Sequence, residues 1–190
     1  GALSLTFNPK YRKAFAPLVE KVSFASFGDM DSLRSVIDED TALIILEPIQ
    51  GESGIIVAPD GFLQEVRKLC DEKGILLIFD EIQAGLGRTG RLWAGEHWNT
   101  APDILCLAKG IAGGVPMGAT LVRPDILAAI SKGEHSSTFG GNPISCAAGI
   151  AALTSITEDG LIENSKKMGE VFKEGLEKLK EKHTMIREIR

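Results

Sequence analysis

The chain contains only three cysteines, and their placement excludes several chemistries. Cys70, Cys106 and Cys146 are widely spaced and odd in number, so they form neither a disulfide framework nor a metal or redox spacing. Each lies in an apolar stretch, so we expect buried free thiols. Free thiols are typical of proteins in a reducing compartment, and we therefore expect a cytoplasmic location.

Long apolar runs and an excess of basic residues are also missing. No run of about 18 apolar residues and no signal-peptide pattern occurs, so we expect no membrane segment. The net charge of −5 argues against a nucleic-acid partner and against a basic membrane-binding face. The composition, with 44% hydrophobic and 25% charged residues, is that of a globular protein with a substantial core.

Two short apolar runs end in residues that carry chemistry. Residues 75–79 lead into Asp80, and residues 104–108 lead into Lys109. Such runs indicate buried strands of a parallel sheet, whose ligands bind at the carboxyl ends of the strands. An amine in an apolar pocket attacks carbonyls, and a carboxylate keeps a ring nitrogen protonated; a pyridoxal-phosphate site requires both. Position alone leaves open a helix cap for Asp80 and a solvated loop residue for Lys109.

Five segments, in order along the chain, resemble the class III (ornithine-type) aminotransferases. Residues 77–90 are similar to the segment that binds the cofactor ring, although Ala84 stands where many members have threonine. Within the family, the chain most resembles acetylornithine aminotransferases and related ω-amino-group transferases of amino-acid and arginine biosynthesis. The five segments are residues 47–52, 77–90, 102–104, 108–110 and 137–143.

The resemblance implies four contacts with the ring of pyridoxal 5′-phosphate. Asp80 is implied to pair with the pyridine nitrogen, and Gln83 to hydrogen-bond the ring hydroxyl. Ile82 is implied to pack on the ring face. Lys109 is implied to hold the cofactor covalently as an imine and, once displaced, to carry the transferred proton.

Three further residues receive roles from the same resemblance. Thr138 is implied to bind the cofactor phosphate from the other subunit of a homodimer, so that the active site is shared. Glu52, with Glu47 as a second candidate, is implied to serve substrate binding; Glu52 would pair with an arginine of a C-terminal domain. Ion pairs with Arg88 or Arg91 are the alternative for both glutamates.

The implied reaction transfers an amino group from an ω-amino donor such as N-acetylornithine to 2-oxoglutarate. Ornithine and 4-aminobutyrate aminotransferases, aminomutases, racemases and decarboxylases share the fold and remain alternatives, as does a folded core without activity. Gln83 and the Gly-Arg-Thr-Gly sequence of residues 87–90 favour a transferase. His97 and His135 are interpreted as loop histidines rather than general bases.

The resemblance also implies an α/β fold, the large domain of fold type I, with a mostly parallel sheet and helices on both faces. Family members are much longer, so we expect an internal fragment without the upstream glycine-rich phosphate loop and the C-terminal domain. Residues 1–156 are expected to belong to the cofactor-binding domain, and residues 157–190 to form a long helix leading away from it.

The hydrophobic pattern predicts strands at residues 42–46, 75–79, 104–108 and 119–122, the last of them antiparallel. A helix at residues 60–73 joins the first two strands, which places Glu47 and Asp80 at one edge of the sheet. Residues 1–30 are expected to be irregular. The other predicted helices are residues 31–37, residues 124–131, a buried helix at residues 142–156 and an amphipathic helix at residues 158–181.

Overall fold

A computed structural model describes residues 1–190, which divide into the units Gly1–Thr41 and Ala42–Arg190. The first unit is more regular than predicted. It contains the helix α1 (Pro9–Arg12), the helix α2 (Met30–Ser35) and the 3₁₀ helices Ala2–Leu5 and Lys13–Phe15. The Asp29 side chain accepts a hydrogen bond from the Ser32 N–H and caps α2. The helix therefore begins at Met30, one residue before the predicted start at residue 31.

The second unit carries all six strands and the longer helices. The strands are β1 (Leu43–Leu46), β2 (Ile49–Gln50), β3 (Ile56–Val57), β4 (Leu76–Asp80), β5 (Ile104–Leu107) and β6 (Ala119–Val122). The helices are α3 (Phe62–Lys73), α4 (Pro124–Leu127), α5 (Pro143–Glu158) and α6 (Leu161–Lys180), with 3₁₀ helices at Ala94–Trp98 and Lys109–Ala112.

The main sheet has the spatial order β1-β4-β5-β6. β4 pairs in parallel with both β1 and β5, whereas β6 runs antiparallel to β5. This confirms the predicted α/β class, the four strands and the antiparallel direction of the last one. The small antiparallel pair of β2 and β3 was not predicted, because two-residue strands leave no periodic signal.

The core of the second unit forms where α3 packs against β4. Leu63, Val66 and Cys70 of α3 are fully buried, as are Leu77 and Phe79 of β4. The helix ends at Lys73 because Gly74, the C-cap residue, adopts a left-handed conformation with φ 68°. This βαβ unit brings β1 and β4 side by side in parallel, so their carboxyl ends meet at one edge.

α5 differs from its prediction as a buried helix. Its only buried residues are Ser145 and Gly149, whereas Ile144 and Ile150 are 76% and 68% exposed. Ser145 Oγ donates a hydrogen bond to the Pro116 carbonyl, which ties the helix to the turn beyond Lys109–Ala112. One face of α5 therefore supports the site region, and the other is an apolar surface that this chain leaves uncovered.

Two boundaries were also predicted wrongly. α4 ends at Leu127, four residues before the predicted end at residue 131. Gly160, with φ 70°, separates α5 from α6, so the predicted helix at residues 158–181 begins only at Leu161. Residues 86–93 form turns and bends. The proposed division of the chain at residue 156 stays a prediction.

None of the helices combines the length and the apolar character that crossing a membrane requires.

Candidate active site

Asp80 and Lys109 lie at the carboxyl ends of neighbouring parallel strands. Asp80 is the last residue of β4 and pairs in register with Cys106 of β5. Lys109 begins the 3₁₀ helix that follows β5, and its backbone is left-handed with φ 49°. A left-handed lysine is uncommon, and such strained residues concentrate at functional sites. The predicted juxtaposition of the two strand ends is therefore present in the fold.

The Lys109 amine is held by the predicted ring-binding glutamine. Lys109 Nζ donates a hydrogen bond of 2.6 Å to Gln83 Oε1. The lysine side chain is otherwise exposed, so this chain does not enclose the amine in the apolar pocket that the sequence argument assumed. The contact shows that the segment after β4 and the segment after β5 converge on one point.

Gly51 lies directly beneath the Gln83 side chain. A Cβ atom placed on Gly51 would lie 2.1 Å from Gln83 Nε2, so no larger residue fits without moving the glutamine. The Gly51 N–H donates a hydrogen bond of 3.1 Å to Glu47 Oε2. Gly51 was part of a matched segment, but the sequence alone offered no reason to assign it a role.

Glu47 shares this site, and the charges of Asp80 and Lys109 both act on its carboxylate. Burial raises the pKa of Glu47, the hydrogen bond from Gly51 lowers it, and the charges of Asp80 and Lys109 act in opposite directions. Glu52 is exposed and contributes only a further negative charge near Glu47. Neither Glu47 nor Glu52 forms an ion pair, so the alternative of ion pairs with Arg88 or Arg91 is not observed.

Asp80 is partly buried and faces its own loop. Its Oδ1 accepts a hydrogen bond of 3.0 Å from the Ile82 N–H, a local contact that fixes the start of the turn. Ile82 itself is half-buried beside it. The local bond is compatible with the alternative of a cap, but the charges of Asp80 and Lys109 both act on Glu47, which places the Asp80 carboxylate in a polar cluster.

Glu81 has a role that the sequence analysis did not assign. It is 1% exposed, and its Oε2 and Oε1 accept hydrogen bonds of 2.6 and 2.9 Å from the N–H groups of Ala94 and Gly95. Burial raises the pKa of Glu81, whereas these two bonds lower it. The alternation of Leu77, Phe79 and Glu81 on one strand face was the available signal, because it places a carboxylate among core residues.

Asp103 is a second buried acid whose function was missed. Its Oδ2 accepts hydrogen bonds from the Leu77 N–H at 2.7 Å and from Arg67 at 2.9 Å, and its Oδ1 accepts one from Arg123 at 2.5 Å. Asp103 precedes β5, whereas Lys109 follows it, so this cluster lies at the opposite end of the strand. It joins α3, β4 and the end of β6 around the start of β5.

Thr138 is not brought to the site by this chain. It lies in an exposed turn, and its side chain makes no hydrogen bond. His97 lies in the 3₁₀ helix Ala94–Trp98 rather than in a loop, and its Nε2 lies 3.0 Å from Thr89 Oγ1. His135 is exposed. The structure therefore brings Asp80, Gln83, Lys109 and Glu47 together and leaves Thr138 and Glu52 at the surface.

Comparison with known families decides the identity of this arrangement. The profile of the family "Aminotransferase class-III" matches residues 1–190. The chain belongs to the class-III aminotransferases. It is 47% identical over 190 residues to an acetylornithine aminotransferase of Methanopyrus kandleri, covering all of this chain and 48% of that protein. It is 44% identical over 191 residues to ornithine aminotransferase 1 of Staphylococcus saprophyticus, again covering 48% of it.

Solved structures of this family have the same fold. The ornithine aminotransferase of Toxoplasma gondii superposes with a TM-score of 0.94 and 38% identity, covering all of this chain and 46% of that one. The acetylornithine aminotransferase of Elizabethkingia anophelis superposes with a TM-score of 0.81 and 40% identity, over 86% of this chain and 44% of that one. The aminotransferase chain described here thus spans about half the length of the curated relatives it matches.

The residues at the strand ends fit the cofactor of this family, which is pyridoxal phosphate. A primary amine, a neutral amide and a carboxylate converge within one cluster, and the amide already holds the amine. These are the groups that an aldehyde, a ring hydroxyl and a ring nitrogen require. No group of three or more histidine, cysteine or acidic side chains is arranged to hold a metal ion.

Proposed function

We propose that the protein is an aminotransferase that moves the ω-amino group of a donor such as N-acetylornithine to 2-oxoglutarate, with pyridoxal phosphate bound where β4 and β5 end. The observation that carries this proposal is the hydrogen bond from Lys109 Nζ to Gln83 Oε1, beside Asp80 at the end of the adjacent strand. The family membership supports the reaction class.

Each residue of the cluster then has a defined role. Asp80 pairs with the ring nitrogen and keeps it protonated, which a nearby negative charge favours. Gln83 binds the ring hydroxyl, and Ile82 lies against the ring face. Lys109 binds the cofactor aldehyde and, when its amine is free, takes the proton from the substrate Cα. The bound cofactor supplies an electron sink for the pair that this proton leaves behind.

Glu47 and Glu52 are proposed to bind substrate. Both lie on the segment that follows β1, and Glu47 is linked through Gly51 to the underside of Gln83. Glu52 is exposed and therefore free to pair with a cationic partner that this chain does not supply. In this proposal, Glu47 shapes the site and Glu52 meets the substrate or the arginine that binds its carboxylate.

We further propose a homodimer in which Thr138 binds the cofactor phosphate of the neighbouring subunit. Thr138 and the adjacent Phe139 are exposed, the latter at 81%, and they precede the uncovered apolar face of α5. A turn that reaches into another subunit explains why a polar residue of a matched segment is exposed and makes no side-chain hydrogen bond within its own chain. A cytoplasmic location is proposed from the three free cysteines.

The second candidate function uses ornithine itself as the donor. Relatives named ornithine aminotransferase match the chain with the same coverage as those named for acetylornithine, which keeps ornithine as the second candidate donor. Turnover of the purified full-length protein with each donor, with and without 2-oxoglutarate, tests the proposal. A higher kcat/KM for N-acetylornithine that depends on the keto acid supports it. Turnover without any keto acid identifies a mutase or racemase instead.

A further inference from the structure

Glu81 is the most deeply buried acid of the chain and has no part in the chemistry proposed above. It lies between Asp80 and Ile82, and Gln83 follows two residues later. An ionised carboxylate is buried at low cost only when hydrogen bonds replace its water. The structure supplies two such bonds, both from the backbone.

These bonds join the ring-binding segment to a distant loop. Ala94 and Gly95 are the first two residues of the 3₁₀ helix Ala94–Trp98, whose own N-cap residue, Trp93, makes no side-chain cap. The N–H groups at the start of a helix have no partner within it. Glu81 therefore caps this helix from 13 residues upstream, so the charge also meets the positive end of the helix dipole.

We call the two hydrogen bonds from Ala94 and Gly95 to Glu81 the clamp. The residues on both sides of this clamp are tightly packed. A Cβ atom on Gly95 would lie 2.8 Å from the Phe79 ring, so the capped backbone is pressed against β4. A Cβ atom on Gly85 would lie 2.9 Å from the Glu81 carbonyl and 3.0 Å from Glu81 Oε2. The Gly85 N–H also donates to that carbonyl at 3.0 Å. The turn from Glu81 to Gly85 thus has little room to rotate.

We propose that Glu81 is a positioning residue: by bonding the Ala94 and Gly95 amides, it sets the orientation in which Asp80 and Gln83 meet the cofactor ring. This inference rests on the proposed pyridoxal-phosphate site. Asp80 and Glu81 are adjacent in the chain, so fixing one side chain on the core side fixes the other on the site side. Without the clamp, the Asp80 carboxylate loses its fixed direction toward the ring nitrogen.

The test compares two cofactor probes on the full-length protein. Pyridoxal phosphate offers a ring nitrogen to Asp80, whereas 1-deazapyridoxal phosphate carries a C–H group there. The ratio of their dissociation constants reports the nitrogen contact alone, because a general loss of folded protein weakens both probes equally. For the unaltered protein we expect a preference for pyridoxal phosphate of roughly 10- to 100-fold, typical of a charge-assisted hydrogen bond.

Glu81→Gln preserves the size of the side chain but presents an NH₂ group to a backbone N–H, so one of the two bonds is lost. We expect the preference to fall to about threefold or less. Glu96→Gln is the matched control, because it removes the same charge from an exposed position on the same 3₁₀ helix and should retain the full preference. An undiminished preference in Glu81→Gln would overturn the inference.

A second measurement needs no variant and covers the case in which Glu81→Gln does not fold. Coupling between two sites is reciprocal, so a cofactor that orders Asp80 must also order the clamp. Pyridoxal phosphate should therefore slow amide hydrogen exchange at Ala94 and Gly95 more than in the reference helix α3. Equal slowing in both would overturn the inference. If the unaltered protein does not bind pyridoxal phosphate, or binds both probes equally, the proposed site itself is wrong.

Discussion

Lys109 Nζ and Gln83 Oε1 lie 2.6 Å apart, although 26 residues separate them in the chain. The contact exists because β4 and β5 are adjacent parallel strands whose following segments turn toward each other. The neutral amide of Gln83 therefore orients the lysine amine. In the proposed function, the amine held at this position reacts with the aldehyde of the cofactor.

Replacement of Lys109 by alanine should abolish the covalent attachment of pyridoxal phosphate. We expect the transamination rate to fall by roughly 10²- to 10⁴-fold or more, because the amine also carries the transferred proton. Borohydride trapping followed by mass spectrometry measures the attachment. Lys178→Ala, which alters an exposed lysine of α6, should behave as the unaltered protein. A borohydride-stable adduct at the usual level in Lys109→Ala would rule out this assignment.

Asp80→Asn should damage catalysis while still allowing the cofactor to bind. An amide cannot keep the ring nitrogen charged, so we expect kcat to fall by about 10²- to 10³-fold, as for the loss of other electrostatic stabilising groups. Gln83 and Lys109 still contact the cofactor in this variant, so absorbance titration should show binding. Single-turnover kinetics with the amino donor measure the effect. Unchanged rates would show that Asp80 serves only the local turn with Ile82.

Gly51→Ala should displace Gln83, because the new methyl group would lie 2.1 Å from Gln83 Nε2. We expect pyridoxal-phosphate affinity to fall by about tenfold with little loss of stability, because the displaced amide is the far end of a flexible side chain. Gly169→Ala makes the same chemical change on α6, where nothing lies within 4 Å of the new atom. That control should retain affinity. Equal affinities for both variants would refute the contact between Gly51 and Gln83.

A mixing experiment tests the proposed contribution of Thr138 to the neighbouring subunit. Lys109→Ala and Thr138→Asp chains should each be inactive as pure dimers. A hybrid dimer contains one site with an intact lysine and an intact threonine, so random exchange should restore about a quarter of the normal activity.

Mixing Lys109→Ala with Asp80→Asn is the matched control, because both lesions then affect the sites of their own chains and nothing should be restored. Subunit exchange is verified with differently tagged chains. If hybrids form and the first mixture stays inactive, Thr138 does not act on the neighbouring subunit.

Asp103→Ala should destabilise the fold without altering the site chemistry directly. The change leaves the buried Leu77 N–H without its partner and leaves Arg67 with Asp71 alone, and we expect a loss of roughly 2–4 kcal/mol in the free energy of unfolding. Asp125→Ala removes the exposed acid that shares Arg123 and should be close to the unaltered protein. Chemical denaturation of both variants measures the difference. Equal stabilities would mean that the Asp103 cluster does not support β5.

Much of the fold follows from local patterns. The helix α3 carries an apolar face and a glycine stop, and the four strands of the main sheet are short apolar runs bounded by turn residues, so each was predicted to within two residues. Lys109 and Asp80 were found because parallel strands present their carboxyl ends at one edge. Short elements such as β2, β3 and α1 were not predicted, because a segment of two to four residues is too short to show a periodic hydrophobic pattern.

The burial of α5 was misjudged for a related reason. Its sequence is apolar on most sides, which predicts a helix enclosed by other elements. In this chain only the face with Ser145 and Gly149 finds a partner, while Ile144 and Ile150 remain exposed. Composition reports how much apolar surface a helix presents, but not which other surface covers it.

The sequence by itself determined the family, the strand ends and the residue types of the candidate site, because these depend on local periodicity and on short ordered segments. Only the tertiary structure decided that Glu81 caps a helix from 13 residues away and that Gly51 lies against Gln83. These relationships depend on the packing of segments far apart in the chain, and the distance between two such side chains is not encoded in either segment alone.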